Sequence, residues 1–271
     1  MYQGFYTIAS GILMQERSLN VLSNNLVNVN TPGYKASRVI STTFEEQLLR
    51  VENGRDTIIG KAVPITVVSE APTRYDSDSL IQTERPMDMA INGEGFFRIQ
   101  AAPVQVNQDA EATDPDNIET ALTEEGAVYL TRNGNFDIDN EGFLVLRGVG
   151  RVLGRRGEID LGGSSSFVVN ENGEIYGENG QYIDTLDIVV PDEGEQLERV
   201  GNSLFQFAGE ATGRPAENST LVQNWLENSN IDTNREYTMM MEAQRAFQSC
   251  STALQIVDKI NQQAAAQIAA L

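Results

Sequence analysis

"SNNLVNVNTPGYK", residues 23–35, is the stretch on which the reading of this chain turns. Its first half continues an amphipathic helix. Thr31-Pro32-Gly33 then stops it, because Pro32 pushes Thr31 out of the α region and Gly33 permits a turn. Four asparagines, Asn24, Asn25, Asn28 and Asn30, crowd this helix end. Each is about 0.5–0.7 kcal/mol worse than alanine in a helix. A water-facing helix normally carries Glu, Lys and Arg on its outer side. An uncharged amide coat therefore asks for a partner other than bulk water.

Upstream, the segment fits a heptad. Phe5, Ile12, Leu19 and Leu26 share one position, and Ile8, Gln15, Leu22 and Val29 fall three residues later. Only Gln15 breaks this coiled-coil-like seam. A helix from about Tyr2 to Val29 would be roughly 40 Å long.

The far end of the chain has the same pattern. Met240, Phe247, Leu254, Asn261 and Ile268 share one position, and Ala243, Cys250, Val257, Ala264 and Leu271 share its partner. Asn261 has two readings, a register-setting polar interruption or a wet, frayed helix end.

The two ends are nearly free of charge. Residues 1–40 carry a net +2 and residues 237–271 a net zero, so 41–236 hold −22 of the total −20. The helix flanks are Ser, Asn and Gln instead, among them Ser18, Asn20, Ser23, Gln244, Gln248, Gln262 and Gln263. Charge is costly to desolvate, whereas amides find partners in a protein–protein contact. The asparagine coat is thus expected to face neighbouring subunits. The alternative is a monomer whose terminal helices pair antiparallel and whose asparagines only fray the helix end.

The middle reads as β-structure. Met87, Met89 and Ile91 alternate with Asp88 and Ala90, predicting a half-buried strand, and "NGEGFF" (92–97) is a glycine turn into an aromatic strand. Asn133-Gly134 and Asn172-Gly173 each sit between strand-like runs and predict hairpins. "TLDIVVPDEG" is a further strand closed by Pro191. Short strands with turns every ten residues or so suggest a sandwich or barrel-like domain. Within the acidic insert 105–126, the turn-rich stretch 112–126 reads as a surface loop.

Composition removes many chemistries. There is no histidine, so Ser-His-Asp, Cys-His and His-ligated metal sites are out. Cys250 is the lone cysteine and reads as a small buried hydrophobe. The acidity argues against nucleic acid, which needs Lys and Arg on its phosphates. "DIDNEG" (137–142) starts like a calcium loop, but Gly148 stands where the bidentate acid belongs. "GVGRVLG" has the wrong glycine spacing for a dinucleotide site. Arg147, Arg151, Arg155 and Arg156 form a basic island able to meet an acidic neighbour, or simply an exposed strand and turn. No carboxylate pair stands out for glycoside hydrolysis. No run approaches the roughly 20 apolar residues of a membrane span, and no secretory signal is read at the N-terminus.

These pieces coincide with a family. "LSNNLVNVNTPGYK" resembles the N-terminal signature of the flagellar basal-body rod and hook proteins. "GEGFF" and "YLTRNGNFDIDNEGFLV" are similar to its central β motifs, and "LENSNIDTNREYTMMMEAQRAFQSCSTALQIVD" to its C-terminal helix. The resemblance implies a non-enzymatic axial subunit of the bacterial flagellum, without cofactor or metal. Such subunits leave the cell through the flagellar type III export apparatus without a cleaved signal peptide. They assemble with themselves and with other rod and hook proteins outside the cytoplasmic membrane, without inserting into it. By similarity, Asn24, Asn25, Asn28, Pro32 and Gly33 belong to the assembly signature, as do Gln244, Arg245 and Ala246; the seam adds Phe5, Ile12, Leu19, Leu22, Leu26, Phe247, Leu254 and Val257. Tyr34 departs from the family's frequent Phe, and Cys250 from its usual small residue. The chain has no room for the large outer domain of typical hook proteins, which favours rod over hook. A flagellar hook or hook-associated axial protein, or in another class an extracellular β-sandwich binding protein, is the alternative.

The expected fold is α+β, with long N- and C-terminal helices paired as a coiled-coil-like segment around a central, mostly antiparallel β domain. Its expected divisions are an assembly helix (1–34), an extended connector (35–80), the β domain (81–220) and a second assembly helix (221–271).

Overall fold

The computed structural model describes residues 2–43, 48–50, 58–61, 66–70, 79–101, 126–163, 166–192, 197–201, 203–208, 213–216 and 219–269. The fold is α+β, with a helix at each end and antiparallel sheets between them. Two compact units divide it. The first is Met1–Val29, Ala36–Arg74 and Ile231–Leu271; the second is Asn30–Lys35 and Tyr75–Asn230. Most of the acidic insert lies outside the described residues.

The first unit holds helix α1 (Tyr2–Val27) and helix α2 (Thr233–Ala269). α2 begins where Asp232 presents Oδ1 to the backbone N–H groups of Asn234 and Arg235, at 3.0 and 3.3 Å. This N-cap satisfies donors that the first helical turn leaves orphaned. Glu236 follows in that turn, where a carboxylate complements the helix dipole. α1 closes differently. Asn28 donates its Nδ2 to the carbonyl of Asn24 and to Asn24 Oδ1, both at 2.9 Å, supplying a donor to an orphan carbonyl.

The two helices pack against each other, and their direction follows from two contacts. Asn25 lies on Glu236, at 3.4 Å, and a Cβ added to Gly11 would stand 3.7 Å from Cys250 Sγ. Moving down α1 thus means moving up α2, so the pair is antiparallel. α1 faces α2 through Gly11, Gln15, Ser18, Leu22 and Asn25. Ile12, Leu19 and Leu26 stand one residue, about 100°, further round. They are half-buried, as are Gly11, Gln15, Ser18 and Leu22. The close approach at this face joins small and polar residues to Leu22.

The stretch 35–80 is not a plain connector. Val39–Thr43 pairs antiparallel with Thr66–Glu70, and Leu48–Arg50 with Ile58–Lys61. The C-terminal helix also starts later than expected. Residues 220–227 are strands: Thr220–Gln223 pairs with Met89–Asn92, and Trp225–Glu227 with Leu80–Gln82. Asn224, at φ 64°, joins the two pairings.

The second unit centres on a ten-stranded antiparallel sheet. Its middle strand, Phe96–Ala101, pairs with Val128–Thr131 on one edge and with Gly150–Gly154 and Ile188–Val190 on the other. Period-two alternation sends its side chains to two cores. Phe97, Ile99 and Ala101 join Phe136, Leu144, Val152, Phe167 and Ile175, whereas Phe96 joins Leu130 and Phe205. Phe97 meets Phe136 edge-on, with ring centroids 5.1 Å apart, a favoured aromatic geometry.

Three local expectations separate here. Asn172-Gly173 does turn a hairpin, between Phe167–Val169 and Glu174–Gly177. Asn133-Gly134 does not, because Val128–Thr131 and Phe136–Ile138 pair with other strands. Gly134 is there for close approach: a Cβ would fall 1.6 Å from the Met89 carbonyl oxygen. The strand Met89–Asn92 is buried at Met89, Ala90 and Ile91 alike, so it is covered on both faces rather than one.

Candidate assembly interface

The signature segment is divided between the units. Residues 23–29 belong to the helical unit and 30–35 to the β unit.

In the helical unit, Asn25 is fully buried. Its Nδ2 donates to the Ser37 carbonyl at 2.9 Å, and its Oδ1 accepts from the Ser37 N–H at 3.1 Å. Nδ2 also reaches Glu236 Oε2. Glu236, 3% exposed, has Arg38 Nη2 at 3.8 Å. Asn25 therefore ties together the end of α1, the chain that follows it and the start of α2. A carboxamide suits this place because it satisfies one backbone donor and one acceptor at once. The expectation that these amides turn toward neighbouring subunits is corrected at Asn25 and Asn28, which are buried against their own chain. The fraying alternative also fails there, since each amide makes a defined bond. Asn24 remains exposed.

The remaining expected interface residues spread over the helices. Leu22 and Ala246 meet at one groove; Phe247, Leu254 and Val257 are half-buried on the α2 seam; Phe5, Gln244 and Arg245 are exposed. Seam burial is incomplete. Ala243 is the one α2 apolar residue among the described residues that is buried, while Leu13, Val27, Tyr237, Met241, Ile256 and Ile260 are exposed. Leu13 and Val27 stand 63% and 77% open. Large apolar side chains left this open on a helix pair mark an interaction surface.

In the β unit, the rest of the signature is clamped. Gly33 adopts φ 66°, donates its N–H to the Glu227 carbonyl at 2.9 Å, and lies so close that a Cβ would be 2.3 Å from the Arg132 carbonyl carbon. Tyr34 is buried beneath the Arg199 guanidinium, 4.9 Å from its ring centroid, and Arg199 also donates to the Lys35 carbonyl. Lys35 Nζ lies 2.6 Å from Glu227 Oε1. Arg132 approaches the other oxygen of Glu227 at 3.3 Å and donates to the Gly93 carbonyl at 2.7 Å. Desolvation lowers the Arg132 pKa, and Glu227 works against that fall. Sequence reading singled out Pro32 and Gly33 but missed Lys35, Arg132 and Glu227. The available signal was that Lys35 is one of only three lysines, placed directly after Pro-Gly-Tyr.

The calcium look-alike has another use. Asp139 accepts from the backbone N–H groups of Glu141 and Phe143, and its other oxygen faces Arg151. Arg151 reaches Glu141 and Glu158 as well. The carboxylates converge on a guanidinium, so Arg151 of the basic island meets acidic neighbours within the chain.

Comparison with known proteins bears on both ends. The family described as flagellar basal body rod FlgEFG protein C-terminal matches residues 222–268, and the flagella basal body rod protein family matches 5–35. The flagellar basal-body rod protein FlgG of Bacillus subtilis (strain 168) is 30% identical, over 97% of this chain and 98% of its own. The flagellar hook-basal body complex protein FlhO of the same organism is 28% identical over 99% of both. The flagellar basal-body rod protein FlgF of Caulobacter vibrioides is 25% identical over 92% of this chain and 91% of its own.

Proposed function

The chain belongs to the flagellar basal-body rod protein family, and on that premise we propose that it is a structural subunit of the rod, polymerising through its terminal helices into a helical tube that transmits torque from motor to hook. One observation carries the polymerising part: the helix pair, short of charge, leaves Leu13, Val27, Tyr237 and Met241 open to solvent. The uncharged coat lowers the cost of burying these faces between subunits. A head-to-tail contact that does not close produces an open helical assembly. Export through the flagellar type III apparatus, residence outside the cytoplasmic membrane, and contact with other rod and hook proteins belong to the same reading. No described helix is long and apolar enough to cross a membrane. The reading assigns no catalysis.

Leu22→Asp and Leu254→Asp test it. A charge in a desolvated seam costs several kcal/mol. Each variant is expected to abolish filaments seen by electron microscopy and motility in cells, while the β unit melts as in the parent. Normal filaments from either would overturn the role given to the terminal helices.

A further inference from the structure

The chain crosses between the two units close to the signature segment. It passes from the helical unit to the β unit at 29/30, returns at 35/36, and finally leaves the β unit for α2 at 230/231. Inside the β unit these crossing segments are fastened to each other. The Gly33 N–H donates to the Glu227 carbonyl at 2.9 Å, and the Asn230 N–H to the Tyr34 carbonyl at 3.4 Å. Lys35 Nζ lies 2.6 Å from Glu227 Oε1, 192 positions away, and Arg199 donates to the Lys35 carbonyl. Tyr34, Lys35 and Glu227 are all buried, which shields these bonds from competing solvent.

Residue numbers rise together across these contacts, from Gly33–Glu227 to Tyr34–Asn230, so the two segments lie side by side in the same sense. α1 joins ahead of Gly33, and α2 leaves beyond Asn230. Tension on the two helices therefore pulls at opposite ends of the fastened pair. Contacts loaded this way are strained together, in shear, rather than opened one after another. The chain between Lys35 and Glu227 sits behind them. While they hold, pull on the helices runs from one segment to the other and bypasses the body of the β unit.

We propose that Gly33, Tyr34 and Lys35, fastened to Glu227, Asn230 and Arg199, form a mechanical clamp that keeps the β unit folded while its terminal helices are under tension. Three features select that role. The clamp stands where the chain enters and leaves the unit, its segments are placed for shear, and Glu227 is braced by Arg132 at 3.3 Å. A subunit that transmits torque is loaded through its helices, so the use of the clamp rests on the rod-subunit reading. The clamp itself does not.

The test is single-molecule pulling on the full-length chain. Cys250→Ser removes the native thiol, and Asn20→Cys and Gln248→Cys, at exposed sites, carry the handles. Circular dichroism and a thermal melt first establish that each variant is folded. The parental chain is expected to hold until one high-force step, which then frees roughly 650 Å of chain, the span of 192 extended residues. Lys35→Met is expected to free the same length at clearly lower force, and Arg199→Gln takes its place should Lys35→Met fail to fold. Gly180→Ala is the control, at φ 71° with nothing within 4 Å of its Cβ. It is expected to lower the melting temperature and leave the step in place, because forced unfolding follows the barrier set by the contacts under load. A step at parental force in the clamp variants, or one lowered equally by Gly180→Ala, overturns the clamp. Neither result touches the rod reading, which the filaments of Leu22→Asp and Leu254→Asp decide.

Discussion

Lys35 Nζ lies 2.6 Å from Glu227 Oε1, and neither side chain reaches solvent. With Arg132 at the second oxygen, one carboxylate answers two cations. The arrangement makes an asymmetric prediction. Glu227→Gln leaves two buried cations facing each other and is expected to cost about 3–5 kcal/mol, as breaking a buried pair does. Lys35→Met leaves Arg132 and Glu227 matched and is expected to cost less, about 1–3 kcal/mol. Urea melts of both variants measure this. Equal losses would mean the cations do not share Glu227.

Gly33 is required on two counts, its left-handed φ of 66° and its approach to the Arg132 backbone. Gly33→Ala is expected to destabilise the β unit by about 2–4 kcal/mol, combining backbone strain with overpacking. Gly180, at φ 71° with nothing near its Cβ, carries only the first term. Gly180→Ala is expected to cost about 1–2 kcal/mol, and the difference in melting isolates the close approach.

Asn25→Ala breaks both bonds to Ser37. It is expected to weaken the helical unit by about 1 kcal/mol for each half-buried Ser37 bond lost. Asn24→Ala, at an exposed site, is expected to stay within about 1 kcal/mol of the parent. Helix unfolding followed by far-UV circular dichroism on dilute, unassembled protein separates the two. A neutral Asn25→Ala would return this residue to the subunit interface.

Acid is expected to loosen the turn at 137–143. The Ile138 N–H, and then Arg147, hold the Asp137 carboxyl below the usual carboxylate range. For Asp139, desolvation pushes upward but is outweighed by the N–H groups of Phe143 and Glu141 and by Arg151. A folded pKa below the unfolded one contributes stability above the unfolded value, lost as pH falls through the folded value. Melting temperature should thus be level above about pH 4 and fall below it, and Asp139→Asn should flatten that slope.

How far the chain could be read without its fold depends on where each signal is stored. Heptads at both ends, missing charge, Thr31-Pro32-Gly33 and the Asn172-Gly173 hairpin are local patterns. Their physics acts within a few turns of helix or across one tight loop, so the sequence by itself determined two terminal helices and a β-rich middle, while α1 ends at Val27, short of the expected Val29. Non-local pairings were decided only in three dimensions. Gly134 has the sequence of a hairpin turn but serves Met89, 45 positions away, through a backbone approach that no neighbour encodes. Residues 220–227 look like the approach to a helix, yet they complete strands begun at Leu80 and Met89. Asn25 carries the same side chain as Asn24. Helix phase leaves one on an exposed face, where its Oδ1 accepts from Asn28, and turns the other to Ser37 and Glu236, the latter 211 positions distant. Lys35, Arg132 and Glu227 are each unremarkable in sequence. Only the fold removes water from around all three, and desolvation is what turns separate charges into one clamp on the signature segment.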